Sequence, residues 1–433
     1  MNMRQFFTII CLSFFTIAFA QKDKYIIYAP IDLFNKQKKV TRFYDQIQKR
    51  REGNVSFADI RQTLREGEMV LEISKIREKL NTFYIAFIIK KGYRAPRIYK
   101  LCSEIELFRF TQDKQKLYNS SFLTQWLFSS CVEEFEGIKN IFFAPFGEFN
   151  KMAIEYCPFD KPGQMFAEKF QIYRLSETSQ LFDKTHNGNN SDWNCLIMGG
   201  IDYEVDNPQI VEQRFLGDIP NSNIGYLKDS YIAAKQIYED LRHKNIKVIF
   251  KYNEDVSEQF VKQNLLDYNV LLIETHALYN EEICSLQKDD DILNKHFLLL
   301  SSAAYTLEGG VIPDNVEDGL LTAKEISQLD LHNLDLAVIS ACKSGLGVIE
   351  WDGVYGLMRG FKLAGVHSLV MTLDDVVDYV SGQLWIQFFR NLTNGQSKRE
   401  ALLNGIKYIR TMDNGAYSHP KYWTPFILID GIE

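Results

Sequence analysis

The stretch Leu334-Asp335-Leu336-Ala337-Val338-Ile339-Ser340-Ala341-Cys342-Lys343-Ser344-Gly345 decides how this chain is read. An apolar run rich in branched residues stops at two small residues, a cysteine and a glycine turn, which is the form of a buried strand. The form recurs upstream in Asn269-Val270-Leu271-Leu272-Ile273-Glu274-Thr275, which runs into His276. It recurs in Cys195-Leu196-Ile197-Met198-Gly199-Gly200, in Asn245-Ile246-Lys247-Val248-Ile249-Phe250 and in Ser368-Leu369-Val370-Met371-Thr372. Helical periodicities over Ser230–Arg242, Ser257–Leu266, Val354–Leu363 and Val377–Leu392 lie between the runs. Leu298-Leu299-Leu300 and Val311-Ile312 predict a hairpin. Buried strands alternating with helices predict an α/β fold with a mainly parallel sheet. Ligands of such sheets sit beyond the carboxyl ends of the strands.

The N-terminal half follows a looser pattern. Residues 21–54 are polar and charged, and Tyr44–Arg51 reads as a solvated helix. Ser56 precedes apolar residues at helical spacing, which predicts a capped helix over 56–64. Met69–Ile73 and Thr82–Ile89 read as strands, Leu123–Phe135 as a helix, and Ile138–Ala144 as a strand stopped by Pro145-Phe146-Gly147. The chain of 433 residues carries 49 Lys+Arg against 56 Asp+Glu, a net charge of -7, and is 46% hydrophobic. That composition excludes disorder, collagen-like repeats and coiled coil. Mild acidity without a long basic block points away from nucleic acid as a partner.

Met1-Asn2-Met3-Arg4, the apolar run Phe6–Ile17 and the small residues of Ala18-Phe19-Ala20 predict a signal peptide over 1–20. A secreted or periplasmic location follows. The run is shorter than the about 20 apolar residues a membrane span needs. No later segment reaches that length without charges, so no stable span is expected after signal removal. Cysteines stand at 11, 102, 131, 157, 195, 284 and 342. Their wide spacing, with no CxxC or Cys/His cluster, argues against a zinc site and for buried thiols. No metal and no organic cofactor is expected.

Two strands end in residues suited to nucleophilic catalysis, His276 and Cys342. A thiol of pKa about 8.5 is mostly protonated at neutral pH, and an adjacent imidazole removes that proton and later protonates a leaving amine. Backbone N–H groups at the strand ends can hold an oxyanion. Spacing alone does not single out His276, because His186, His243, His296, His332, His367 and His419 are also available.

From about residue 55 onward the chain resembles the CHAT domain, a caspase-like cysteine peptidase family in the clan of caspases and separases. Val55–Glu72 is similar to that domain's opening helix and strand, and Asn140–Asn150 to its strand–Pro–x–Gly–x–Leu–Asn segment. Arg174–Ser179 is similar to its Ser-rich stretch, Thr275-His276 to its histidine motif, and Asp318–Ile326 to its D-G-x-L-T-A-x-E-I segment. Ser340–Gly347 resembles the S-A-C-x-[ST]-G motif, and Gly353–Gly365 and Tyr422–Phe426 the following helix and closing strand. The resemblance implies a caspase-like, mainly parallel sheet flanked by helices, preceded by a smaller pseudo-caspase-like half. It divides the mature chain into a helical segment at 21–54, an N-terminal half at 55–190 and a catalytic half at 191–433. It further implies hydrolysis of a protein or peptide substrate by Cys342 and His276, with the N–H groups of Ala277 and Cys342 as oxyanion donors. A catalytically silent binding or scaffold module is the alternative. The oligomeric state stays open.

Three features depart from the family pattern. Ala277 stands where the family has glycine, Asp374 stands where it has tryptophan, and no upstream helical repeats are present. Relatives in the clan select a basic side chain before the scissile bond. The resemblance therefore points to Asp378 as the substrate-binding carboxylate, with Asp375 second. An aspartate at this place is also a common helix N-cap. Cys284, eight residues past His276, is expected to be a buried thiol or else a disulfide partner of Cys342.

Overall fold

In the computed structural model, residues 37–49, 55–78, 81–161, 163–182, 192–204, 224–279, 291–310, 312, 316–350 and 353–432 are described. The expected signal peptide and Cys284 lie outside them. The N-terminal half supplies β1 (Glu68–Glu78), β2 (Asn81–Ile89), β3 (Arg97–Ser103), β4 (Asn140–Ala144) and β5 (Gln171–Arg174). The second half begins with β6 (Asn194–Met198), β7 (Lys247–Lys251), β8 (Val270–Glu274), β9 (Ala277–Tyr279), β10 (His296–Leu299) and β11 (Leu320–Thr322). It continues with β12 (Leu336–Ser340), β13 (Val348–Glu350), β14 (Gly353–Tyr355), β15 (Ser368–Thr372) and β16 (Phe426–Ile429).

Eleven of these strands form one sheet in the order β3-β2-β1-β4-β5-β16-β15-β12-β8-β6-β7. Strands β7, β6, β8, β12 and β15 run parallel. Every residue of β8, β12 and β15 is buried, as helices on both faces of a parallel sheet require. Strand β16 turns back antiparallel to β15 and pairs parallel with β5, so it joins the two halves and reverses the sheet's direction between them. The expected α/β class, the main parallel sheet and the preceding smaller half are present.

Several local expectations are revised. The helix at 37–48 is not solvated, because Val40, Phe43, Tyr44 and Ile47 form a buried stripe at helical spacing. Tyr44 and Gln48 also donate to the buried Glu72 of β1 at 2.7 and 2.6 Å. The polar residues of that segment masked the stripe. The predicted helix over 123–135 splits into Phe122–Phe128 and a 3-10 turn at Ser129–Phe135, and the one predicted from Val354 begins at Leu357 after β14. Strand β10 pairs with β9 and β11 rather than with the predicted Val311-Ile312: Ile312 lies in no strand, and Val311 lies outside the described residues.

Candidate active site

The site is assembled at the carboxyl ends of β8, β12 and β15. Ser340 of β12 is paired with Glu274 of β8, and the N–H of Thr275 donates to the Ser340 carbonyl at 3.0 Å. His276 and Cys342 each lie two residues beyond that pair, so adjacent strands about 5 Å apart bring both to one edge. Both side chains are half-buried. The Cys342 thiol faces the carbonyl of Val376 at 4.0 Å. Lys343 takes the left-handed conformation, φ 55°, that turns the chain out of the sheet.

The imidazole is fixed from two sides. Its Nε2 lies 2.8 Å from the carbonyl oxygen of Gly225. A carbonyl only accepts, so Nε2 carries a proton, which in the neutral imidazole leaves Nδ1 as the acceptor nitrogen. Tyr203, which follows β6, packs its ring 5.2 Å from the imidazole. The Tyr203 hydroxyl lies 3.0 Å from Thr275 Oγ1, and Thr275 in turn donates to the Leu299 carbonyl. Gly225 and Tyr203 were not found from sequence. A backbone carbonyl leaves no sequence signature, and a tyrosine after a strand reads as core.

Ala277 replaces the family glycine without strain, because it opens β9 and does not adopt a positive φ. Its N–H is a candidate oxyanion donor, beside that of Cys342.

The three aspartates after β15 have different partners. Asp378 lies in the first turn of the helix Asp378–Thr393, whose N-cap residue is Val377, yet its carboxylate caps another helix. It accepts from the N–H of Asp229 at 2.9 Å and from the Ser230 hydroxyl, at the start of the helix Lys228–His243. Asp375 pairs with Lys343 at 2.7 Å, which holds the lysine above its usual range. Asp374 pairs with Lys114 of the N-terminal half. None of the three caps its own helix.

Behind His276 lies Glu274, fully buried at the end of β8. Ser230 donates its one hydroxyl hydrogen to Asp378, and both Glu274 oxygens lack a hydrogen-bond partner among the described residues. Burial, and then the charge of Asp378, holds its carboxyl well above the carboxylate range, against a smaller lowering by the nearby Ser230 hydroxyl.

Cys102, Cys131, Cys157 and Cys195 are buried free thiols, as expected. Burial pushes Cys102 and Cys131 up to about 12, which makes them poor nucleophiles. The carboxylates of Glu258, Glu317 and Glu325 lie within 4.8 Å of one another. Lys262 pairs with all three at 2.7, 2.6 and 2.8 Å and so neutralises the space a cation would take. Among the described residues no helix is long and apolar enough to cross a membrane.

A mainly parallel sheet flanked by helices, with a histidine and a cysteine leaving adjacent strands at one edge, is the architecture of the caspase-like cysteine peptidase fold. The chain belongs to the CHAT domain family, whose model matches residues 119–430. The resemblance drawn for residues 55–118 lies outside that match. Tetratricopeptide repeat protein 28 of Homo sapiens is 30% identical over 114 residues, 26% of this chain and 4% of that protein. Its Mus musculus counterpart is 31% identical over 110 residues, again 4% of its length. The chain thus spans a small fraction of the curated relatives it matches. Among solved structures, Saccharomyces cerevisiae separase in its complex with securin is similar, with a TM-score of 0.50 at 9% identity, covering 90% of this chain and 31% of that one. The Arg-specific cysteine proteinase gingipain R aligns at a TM-score of 0.41 and 11% identity over 75% of this chain and 73% of its own.

Proposed function

We propose that the chain is an exported cysteine endopeptidase that cleaves after a basic residue, with Cys342 as nucleophile and His276 as general base and acid. The observation that carries this reading is the pairing of β8 with β12, with His276 and Cys342 in equivalent positions beyond it. His276 Nδ1 takes the thiol proton, and the thiolate adds to the scissile carbonyl carbon. The N–H groups of Ala277 and Cys342 hold the resulting oxyanion. As the carbon–nitrogen bond breaks, His276 returns the proton to the leaving amine and a thioester remains. Water, deprotonated by the same imidazole, hydrolyses the thioester and frees Cys342. The carboxylates after β15, with Asp375 and Asp378 first among them, give the edge the negative charge that a basic side chain needs. The predicted signal peptide supports export; Edman sequencing of the mature protein should begin at Gln21.

The test is a peptidyl electrophile followed by identification of cleaved termini. Labelling of the wild type but not of Cys342→Ala, with new termini following Arg or Lys, is the expected result. Equal labelling of both would overturn the enzyme reading. A silent scaffold module is the second reading, favoured by Asp374, which replaces the family tryptophan and is tied down by Lys114. It predicts no Cys342-dependent termini at all.

A further inference from the structure

A cleft of about 440 Å³, partly open to solvent, lies where the two halves of the sheet join. Strand β5 supplies Ile172 and Tyr173, β16 supplies Leu428, and the helix Lys398–Gly415 supplies Arg399, Leu402 and Leu403. Three charged residues line it, and two of them cancel: Arg174 grips both carboxylate oxygens of Glu155 at 2.6 and 2.9 Å. Arg399 is left over. Its side chain is folded in to 14% exposure and stands over the Tyr173 ring, 6.0 Å from the centroid. Its guanidinium has no hydrogen-bond acceptor among the described residues. The oxygen it comes near, Glu400 Oε1, is 3.8 Å away, and consecutive residues of a helix do not face each other. The other Glu400 oxygen accepts from the Ser397 N–H at 3.3 Å, in the helix cap. The first turn of a helix is also an unfavourable place for a cation, because the macrodipole favours acids there. Lys398, in the same turn, is answered by Asp335 at 2.9 Å, and Arg399 has no such counterpart among the described residues.

We propose that this cleft binds a small aliphatic carboxylate, whose oxygens accept two N–H groups of Arg399 and whose tail lies against Ile172, Leu402, Leu403 and Leu428. A guanidinium presents parallel donors in the geometry of a carboxylate, and a sheltered site strengthens the pair. The aliphatic wall supplies the rest of the affinity and the selectivity. An inorganic anion has no tail to place there, and an alcohol has no charge for Arg399. An amino acid brings an ammonium for which no acceptor is left, because Glu155 is spent on Arg174. The volume is in the lower part of the range of small-ligand sites, about 300–1,000 Å³, which suits a chain of a few carbons. None of the lining residues belongs to the candidate active site. The ligand touches β5 and β16 at once and braces the joint at which Ile429 pairs with Arg174, so binding stabilises the folded chain.

The experiment titrates the full chain with hexanoate, hexanol, norleucine and inorganic phosphate by calorimetry and follows Tm in each. Hexanoate should bind with a Kd of about 1 mM or below and raise Tm. The other three should bind at least about tenfold more weakly, the loss expected when a charge-assisted pair or the apolar contact is removed. Arg399→Gln should weaken hexanoate at least about tenfold and leave the ligand-free Tm unchanged or higher, since it takes a cation out of the first helical turn. Arg399→Lys, which keeps the charge without the fork, should fall between the two. Leu403→Trp fills the cleft from its half-buried rim and should abolish binding with Arg399 still in place. Iodoacetamide labelling of Cys342 at the wild-type rate shows that each variant is folded. The proposal is overturned if hexanoate does not bind, if hexanol or phosphate binds equally well, or if either Arg399→Gln or Leu403→Trp leaves hexanoate affinity unaltered.

Discussion

Ser340 lies directly opposite Glu274 in the parallel pairing of β12 and β8, and Cys342 and His276 follow two residues beyond each, at the same edge of the sheet. The pair is held from below. The indole N–H of the buried Trp385 donates to Ser340 Oγ at 2.7 Å and ties the helix Asp378–Thr393 to the cysteine strand.

Ser340→Ala should therefore destabilise the protein by about 1–3 kcal/mol, because it leaves the Trp385 N–H buried without an acceptor. Chemical denaturation with tryptophan fluorescence reads this directly. The double variant Ser340→Ala/Trp385→Phe should cost less than the sum of the two single changes, since the second removes the orphaned donor. Strict additivity would exclude the bond as a stabilising contact.

Tyr203→Phe removes the hydroxyl that lies 3.0 Å from Thr275 Oγ1 while keeping the ring against His276. The expected loss is in kcat, by roughly tenfold for a general base no longer held in place, with KM little changed. Iodoacetamide alkylation of Cys342 should slow in parallel. A change in KM alone would place Tyr203 in substrate binding instead.

His296 opens β10 with its ring 4.6 Å from Tyr279 and its Nε2 without a hydrogen-bond partner among the described residues, and burial lowers its pKa to about 4. The unfolded chain, with an imidazole pKa near 6.5, binds more protons than the native one between these values. Stability from this group is complete above about pH 6.5 and is lost as pH falls toward 4, by at most about 3 kcal/mol. His296→Gln should flatten that part of the stability curve. Superimposable acid limbs for the two proteins would show that His296 does not titrate as described.

Glu274 acts in the opposite direction. Its folded pKa is raised by burial, so its contribution is complete below about pH 4.3, the unfolded value, and is lost as pH rises. Glu274→Gln keeps the shape and removes the charge. The variant should gain stability over wild type steadily from about pH 5 upward, followed as Tm against pH. A constant difference across that range would mean that the carboxyl is ionised in the native state.

The parts legible in the sequence were those written in short windows. The strands at 270–274, 336–340 and 368–372 were read within one or two residues, because burial on both faces leaves a continuous apolar run. The solvated helix expected over Tyr44–Arg51 is the end of a half-buried one at Gln37–Gln48, whose buried stripe of four residues is diluted by polar neighbours along the chain. The small sheet β9–β11 was misread as a hairpin because strands of three or four residues carry too little periodicity to show which one pairs with which.

The sequence by itself determined the α/β class, the strand ends that carry His276 and Cys342, and the family to which the motifs belong. These follow from side-chain type and spacing along a few neighbouring residues. Only the tertiary structure decided that β16 joins the halves, that Gly225 sets the imidazole tautomer, that Asp378 caps a distant helix and that Lys114 meets Asp374. Each of those contacts pairs groups far apart in the chain, one of them a backbone carbonyl. A polar group's partner is whichever complementary group the packed core brings within about 3 Å, and local pattern carries no record of that choice.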